Sequence, residues 1–272
     1  MNRLGIESLS VFGLPPVALV TLAADLGCAH ISTGLTSFGY NPQNYPTFSL
    51  LEDSALKREM IAAMRDRGVA ISLGEGLTIR PGVDILARQP EFDVMCELGA
   101  VRINAVSMDP DMSRTLDQFG RMAEMAGAAG VEATVELSPG LTIGDLETAV
   151  AAVRHVGRPN FKLLIDTMHL IRSGSSAADL AMIDPALIGY AQIADAPLQP
   201  SLPNYMEEAC FERRAIGAGE LPLLDILKVL PRHVTIGIET PMRSQAEAGI
   251  GPRERLAPCV EATRNLLARL ES

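Results

Sequence analysis

Residues 131–166, VEATVELSPGLTIGDLETAVAAVRHVGRPNFKLLID, contain a complete strand–helix–strand unit. Two short apolar runs, 131–136 and 161–166, each end in an acid, Glu136 and Asp166. Between them, 144–156 carries apolar residues at helical spacing. Two strands joined through a helix run parallel, because the helix returns the chain to the edge from which the first strand set out. The unit recurs in both directions. Strand-like runs occupy 3–8, 28–33, 69–74, 101–106, 131–136, 161–166, 188–194 and 234–239. Helix-like stretches occupy 15–26, 53–67, 82–99, 112–129, 144–156, 175–182, 222–230 and 253–270. Eight alternations predict an α/β chain folded as a single (β/α)8 TIM barrel over 1–272, since eight parallel strands close on themselves. The first run, RLGIES, is the least strand-like. A doubly wound sheet is the structural alternative, but no GxGxxG follows strand 1 to support it.

The punctuation agrees. Gly27, Gly68, Gly99 and Gly130 each stand between a helix and the next strand, where a left-handed C-cap is favoured. Two stretches exceed ordinary connections, 34–52 after strand 2 and 195–216 after strand 7. Both leave strand C-termini, the face on which barrels build their sites, so they are expected to be lids or substrate walls.

Composition narrows the function. A net charge of −10 argues against a nucleic-acid groove, which needs a basic footprint. The four cysteines, Cys28, Cys96, Cys210 and Cys259, form no CxxC and lie far apart, as expected of reduced thiols in a cytoplasmic protein. The N-terminus lacks a basic segment followed by an apolar one, so no signal peptide is expected. No apolar run reaches the ~18 residues that suggest a membrane span.

Side chains alternate along a strand, so residues two apart share a face. One face can hold Glu132, Thr134 and Glu136; Lys162, Leu164 and Asp166; Ile188, Tyr190 and Gln192; and Thr235, Gly237 and Glu239. Four consecutive strands thus end in Glu136, Asp166, Gln192 and Glu239, with parity allowing all four to enter the barrel mouth. Three carboxylates and an amide converging there repel one another without a cation. Four hard oxygen ligands suit Mn2+ first, with Mg2+ or Co2+ as alternatives. The bland alternative is that each acid pairs with a neighbouring cation or stays solvated. Lys162 shares a face with Asp166 but lies roughly 13 Å away along an extended strand, at ~3.3 Å per residue.

His169, three residues past Asp166, is a candidate proton carrier near neutral pH. Arg213 and Arg214, on the long loop after strand 7, are candidate grips for a substrate oxyanion, or else solvated surface arginines. Asp195, Glu75, Arg80 and Asn104 lie at or beyond strand ends. Arg80 and Asp195 join the candidate substrate contacts.

These motifs resemble the xylose isomerase-like TIM barrels, the superfamily of sugar isomerases and epimerases, inosose and dehydroshikimate dehydratases, and endonuclease IV. The resemblance rests on TVELSPG, LLIDTMHL, GYAQIADAP, ERRAIGAGEL and IGIETP. It implies one divalent metal held by Glu136, Asp166, Gln192 and Glu239. It also implies Glu136 and Glu239 as acid and base, and a metal-stabilised enediolate formed by proton loss beside a carbonyl. Two departures are informative. Gln192 stands where many members have His, which resembles the dehydratase branch, and strand 2 ends in Ser32 where many have Glu. Endonuclease IV needs further His and carboxylate ligands and a basic surface that this chain lacks.

The expectation is therefore a metal-dependent isomerase or epimerase of a small polyhydroxy ketone, without nucleic-acid or membrane partners. A dehydratase acting on dehydroshikimate or an inosose shares the first proton abstraction, with His169 as base and Arg80 or Arg213 gripping a ring carboxylate. A non-catalytic barrel subunit is the alternative from another class, and a homo-oligomer is an open expectation.

Overall fold

A computed structural model of the chain describes residues 2–271. Eight strands, β1 (Leu4–Ile6), β2 (His30–Thr33), β3 (Ala70–Ile79), β4 (Arg102–Ser107), β5 (Glu132–Glu136), β6 (Phe161–Asp166), β7 (Ile188–Ile193) and β8 (Ile236–Ile238), pair in sequence order. β8 returns to β1, and the barrel is closed. Every pairing is parallel. The fold is the TIM barrel the alternation predicts. β1 is indeed short, three residues, yet it pairs on both edges.

Helices cover the outside. Those at Pro16–Asp25, Ser54–Arg67, Met112–Ala128, Leu146–Val156 and Pro252–Ala268 fall within a few residues of their expected bounds. Asp53, Asp111 and Asp145 cap three of them by accepting from first-turn N–H groups. Gly27, Gly68, Gly99 and Gly130 all take positive φ, as expected of helix-to-strand turns. The stretch 82–99 is instead a 3-10 turn, Ile85–Arg88, followed by a shorter helix, Gln89–Glu97. Asp84 accepts from the Leu86 N–H and starts the turn. Among the described residues, no helix is long and apolar enough to cross a membrane.

Register explains how the barrel mouth is built. Asp166 pairs with Gln192, Gln192 with Gly237, and Gly237 with Gly5. These four positions form one level across β6, β7, β8 and β1. Glu239 and Glu7 lie two residues farther along their strands, on the same face and closer to the mouth. Glycine at 237 makes this possible: a Cβ there would sit 1.5 Å from Glu7 Oε1. Below the mouth, Leu73, Leu164 and Tyr190 pack into a fully buried inner plug. Lower still, Arg102 bonds Glu132, Nε to Oε2 at 2.9 Å, and lies over the Tyr190 ring. Lys162 reaches Glu132 at 3.8 Å, so its partner is at the barrel floor and not Asp166.

Candidate metal centre

Asp166 ends β6 and caps the short helix Thr167–Arg172, its Oδ1 accepting from the N–H groups of Met168 at 2.7 Å and His169 at 2.9 Å. Its other oxygen, Oδ2, meets Arg213 Nη1 at 2.5 Å. The same guanidinium reaches Glu239 Oε2 through Nη2 at 2.8 Å. Arg213 is held by two backbone bonds, its Nε donating to the Ala209 carbonyl and its own N–H to that of Pro241, both at 2.7 Å. It is 2% exposed. Arg214, the next residue, is exposed and contributes its N–H to the Asp195 carbonyl. The basic pair therefore splits, with one residue in the centre and one on the surface.

Around this bridge the acids form two groups. Glu136, Asp166 and His169 offer ligand atoms within 4.8 Å of one another, and so do Glu7, Glu75 and Glu239. Arg213 links the two groups through Asp166 and Glu239, and Gln192 ties together two members of the second. Gln192 Nε2 donates to Glu239 Oε1 at 3.1 Å and to Glu7 Oε2 at 3.2 Å. Both neighbours are acceptors, which fixes the amide's orientation and leaves Gln192 Oε1 buried without a partner. Glu7 also accepts from the Tyr190 hydroxyl at 2.7 Å. Asn104 donates to Glu136 at 2.7 Å and is held in place by Thr134.

Electrostatics follow from this crowding. Burial first, and the Asp166 charge next, push the Glu136 carboxyl up to about 8. Burial and Glu75 raise Glu7 well above the carboxylate range, against its hydrogen bonds from Tyr190 and Gln192. Burial raises Glu239 as well, against the pull of Arg213. For Asp166, burial is outweighed by Arg213 and His169, and the group is held down at about 2. Burial lowers His169 to about 4, so its imidazole is neutral at pH 7. His169 Nδ1 hydrogen-bonds the Tyr205 hydroxyl, and Nε2 lies 3.5 Å from Glu136 Oε1.

Five carboxyl groups thus share one mouth. Apart from neutral His169, Arg213 is the basic side chain in ion-pair contact with any of them among the described residues. The deficit of positive charge, together with the orphaned Gln192 oxygen, fits a divalent cation. Glu136, Asp166, Gln192 and Glu239 offer three carboxylates and an amide oxygen, a hard donor set.

A sequence model of the xylose isomerase-like TIM barrel family matches residues 20–258. The chain belongs to that family. No curated protein matches it in sequence. Among solved structures, the chain is similar to the IolI protein with a bound zinc atom, at TM-score 0.79 and 17% identity over 98% of this chain and 99% of that one. It is similar to D-psicose 3-epimerase crystallised with D-fructose, at TM-score 0.69 and 17% identity over 98% and 97%. It is also similar to the probable 3-DHS dehydratase AsbF from Bacillus anthracis, at TM-score 0.73 and 12% identity over 97% and 99%. At these identities the likeness is one of fold. Members of the family are mostly isomerases, epimerases or dehydratases.

Two expected substrate contacts lie elsewhere. Asp195 is 2% exposed, and its carboxylate already accepts from the N–H groups of Gly217 at 2.8 Å, Gly219 at 3.1 Å, Leu221 at 3.2 Å and Ala196 at 2.9 Å. It pins the GAGE loop and has no oxygen left over for a substrate. Gly219 permits this closure, since a Cβ there would sit 2.1 Å from Asp195 Oδ1. Arg80 is exposed at the end of β3, and its carbonyl accepts from Arg114 Nη1 at 2.8 Å. It stands outside the acid groups.

Two participants, Glu7 and Tyr205, carried too little sequence signal, and a third, Glu75, was expected only at a strand end. Glu7 follows a three-residue strand. Glu75 lies inside β3, which continues past the expected end at 74 through a bulge at Glu75 and Gly76. Gly76 takes φ +97 there, a conformation that glycine tolerates. Tyr205 begins a helix, Tyr205–Phe211, inside the long loop after β7. The alternation of GYAQI pointed to Gln192, but nothing local announced the helix that brings Tyr205 over His169.

Proposed function

We propose that the chain is a divalent-metal-dependent isomerase or epimerase that abstracts a proton beside the carbonyl of a polyhydroxy ketone. The observation carrying this reading is the pair of buried acid groups, Glu136 with Asp166 and Glu7 with Glu75 and Glu239, bridged by a single guanidinium and adjoined by a buried Gln192 whose Oε1 has no partner. Glu136, Asp166, Gln192 and Glu239 would hold the ion, Mn2+ foremost, with Mg2+ and Co2+ as alternatives. Arg213 shares two of the same carboxylates, so it would yield part of its pairing to the ion. When bound, the ion supplies Lewis-acid polarisation of the carbonyl and takes up negative charge developing on its oxygen.

The chain's own residues supply the proton handling. In the tautomer that donates Nδ1–H to Tyr205, His169 presents Nε2 as a neutral base. Glu136 stands 3.5 Å from that nitrogen, close enough to exchange a proton with the imidazole. A proton leaving carbon goes to His169, and the imidazolium can give it back to the neighbouring carbon or oxygen directly or by way of Glu136.

A dehydratase of the dehydroshikimate or inosose type is the second reading, and one observation favours it. Glu239 is clamped by Arg213 while Glu136 sits beside His169, so the two glutamates are not equivalent. An acid and a base on one side suit removal of a proton and expulsion of a β-hydroxyl as water.

The test is incubation of Mn2+-supplemented protein in D2O with keto-sugars, inososes and dehydroshikimate. NMR would follow exchange of the proton beside the carbonyl, and ultraviolet absorbance would follow aromatic product. Exchange with return of the ketone supports the isomerase, and aromatic product supports the dehydratase. Absence of both across the set, together with absence of saturable metal binding, would contradict the enzyme reading.

A further inference from the structure

We infer that the substrate carries a nonpolar ring beside its hydroxy-ketone portion, and that the ring is held in a chamber between β1–β3 and the 34–52 loop. This rests on reading the acid centre as the place of reaction.

A cavity of about 490 Å³ opens on the β1–β3 side of the barrel mouth. Leu9, Val11, Leu35, Phe48, Leu77 and Met95 line it; Val11, Leu35, Leu77 and Met95 are buried, and Leu9 and Phe48 are half-buried. Phe38 and Leu51, also in its lining, are 39% and 37% exposed, an unusual display of large apolar side chains at a mouth. Arg88 and Glu91 in the lining stand in ion-pair range of each other at 3.0 Å. The inner wall includes Glu75.

Glu75 joins the chamber to the centre. Its ligand atom lies within 4.8 Å of those of Glu7 and Glu239, and its Oε1 is buried without a hydrogen-bond partner. A ligand hydroxyl donating to that oxygen would sit at the boundary, with the reacting part of the ligand on one side and the chamber on the other. The aromatic rim extends the enclosure. Phe38 lies 5.9 Å from Phe211 and Tyr40 lies 5.3 Å from it, so the two long loops meet beside the mouth.

Chemistry selects the occupant. Ligand pockets commonly span ~300–1,000 Å³ with mostly apolar walls and a few placed polar groups, which is the character of this one. A bare sugar or polyol fits it poorly. A hydroxyl pressed against its Leu, Val, Phe and Met walls would surrender its water partners, and only the stretch beside Ser8, Thr33, Thr36 and Ser37 offers side-chain hydroxyls in exchange. A planar or alicyclic ring with few polar groups loses nothing there and buries apolar area. The chamber therefore fits a nonpolar substituent attached to the polyhydroxy ketone.

The test uses 4-fluorobenzyl alcohol, a ring with one hydroxyl, titrated by 19F NMR against Mn2+-supplemented protein. Two variants alter the chamber at points where the fold is open. Leu51→Asp places a charge at the mouth, and Gly39→Phe adds bulk at a lining position with no atom within 4 Å of its Cβ site. The expected result is saturable binding that weakens at least tenfold in both variants, while Mn2+ affinity stays within twofold. 6-O-benzyl-D-fructose should displace the probe at a concentration at least tenfold below that required of D-fructose. No saturable binding, binding unchanged in both variants, or equal displacement by the two ketoses would overturn the inference. Mn2+ binding is read separately, so its loss in the unaltered protein would refute the metal centre, and failure of the ring probe alone would refute only the chamber.

Discussion

Glu7 Oε2 accepts one hydrogen bond from Gln192 Nε2, at 3.2 Å, and thereby helps to decide which end of the Gln192 amide faces the centre. An amide ligand is useful only if its oxygen is free, and the acceptors Glu7 and Glu239 engage the NH2 group and leave Oε1 without a partner. Glu7→Leu should therefore weaken Mn2+ binding by about 10–100-fold, the usual range for losing an outer contact. Titration by Mn2+ electron paramagnetic resonance measures this directly. The same substitution in a Gln192→His background should cost less, since an imidazole has no amide to orient. An equal loss in both backgrounds would show that Glu7 does not act through Gln192.

Arg213 bridges two carboxylates at full burial. Arg213→Ala leaves both unpaired and should cost about 3–5 kcal/mol in the metal-stripped protein, as expected when one partner of a buried ion pair is removed. Urea unfolding with and without chelator measures it. The loss should shrink on adding Mn2+, whose affinity should rise because the guanidinium no longer competes. A stability loss independent of Mn2+ would argue that the ion and Arg213 do not share carboxylates.

His169 gives the pH dependence. Its pKa in the fold is lowered to about 4 from an ordinary 6.5, chiefly by burial, which corresponds to about 3 kcal/mol. A lowered value contributes stability that is present above pH 6.5 and lost as pH falls through 4. Stripped protein should lose stability more steeply over that window than His169→Gln does. Parallel pH profiles from urea midpoints would contradict the assignment of a buried neutral imidazole.

Asp195 and Gly219 form a closure separate from the ion. Asp195→Ala removes the acceptor for four N–H groups, and should destabilise by roughly 2–4 kcal/mol, at a net ~0.5–1 kcal/mol for each hydrogen bond lost. Gly219→Ala should destabilise as well, because its Cβ meets the carboxylate. Mn2+ affinity should change less than threefold in either, and calorimetric melting alongside Mn2+ titration checks both halves.

The barrel was legible, and so was the shared face of the four strand-end residues, because both are written in short-range periodicity. Alternating strands put Glu136, Asp166, Gln192 and Glu239 on one face, and helical spacing marked the intervening turns. What escaped depends on contacts distant in sequence. Glu7 reaches the centre because Gly237, 230 residues away, lacks a Cβ. Glu75 was visible as a residue at a strand end, but its place beside Glu7 and Glu239 depends on a bulge in β3, where parity no longer counts correctly. Arg213 and Arg214 are neighbours of equal appearance, and only the pairing of Arg213 with Pro241 and of Arg214 with Asp195 sends one in and leaves one out. Asp195 was expected at a substrate because it follows β7, yet the glycines that claim its oxygens lie more than 20 residues later.

The central claim is that Glu136, Asp166, Gln192 and Glu239 form one divalent-cation site. Its most direct test is calorimetric titration of chelator-stripped protein with Mn2+, for the unaltered chain and for Asp166→Asn and Glu239→Gln. One ion per chain is expected, with affinity reduced at least tenfold in each variant while both remain folded by circular dichroism. Absence of saturable binding in the unaltered chain, or binding unaffected by either substitution, would contradict it.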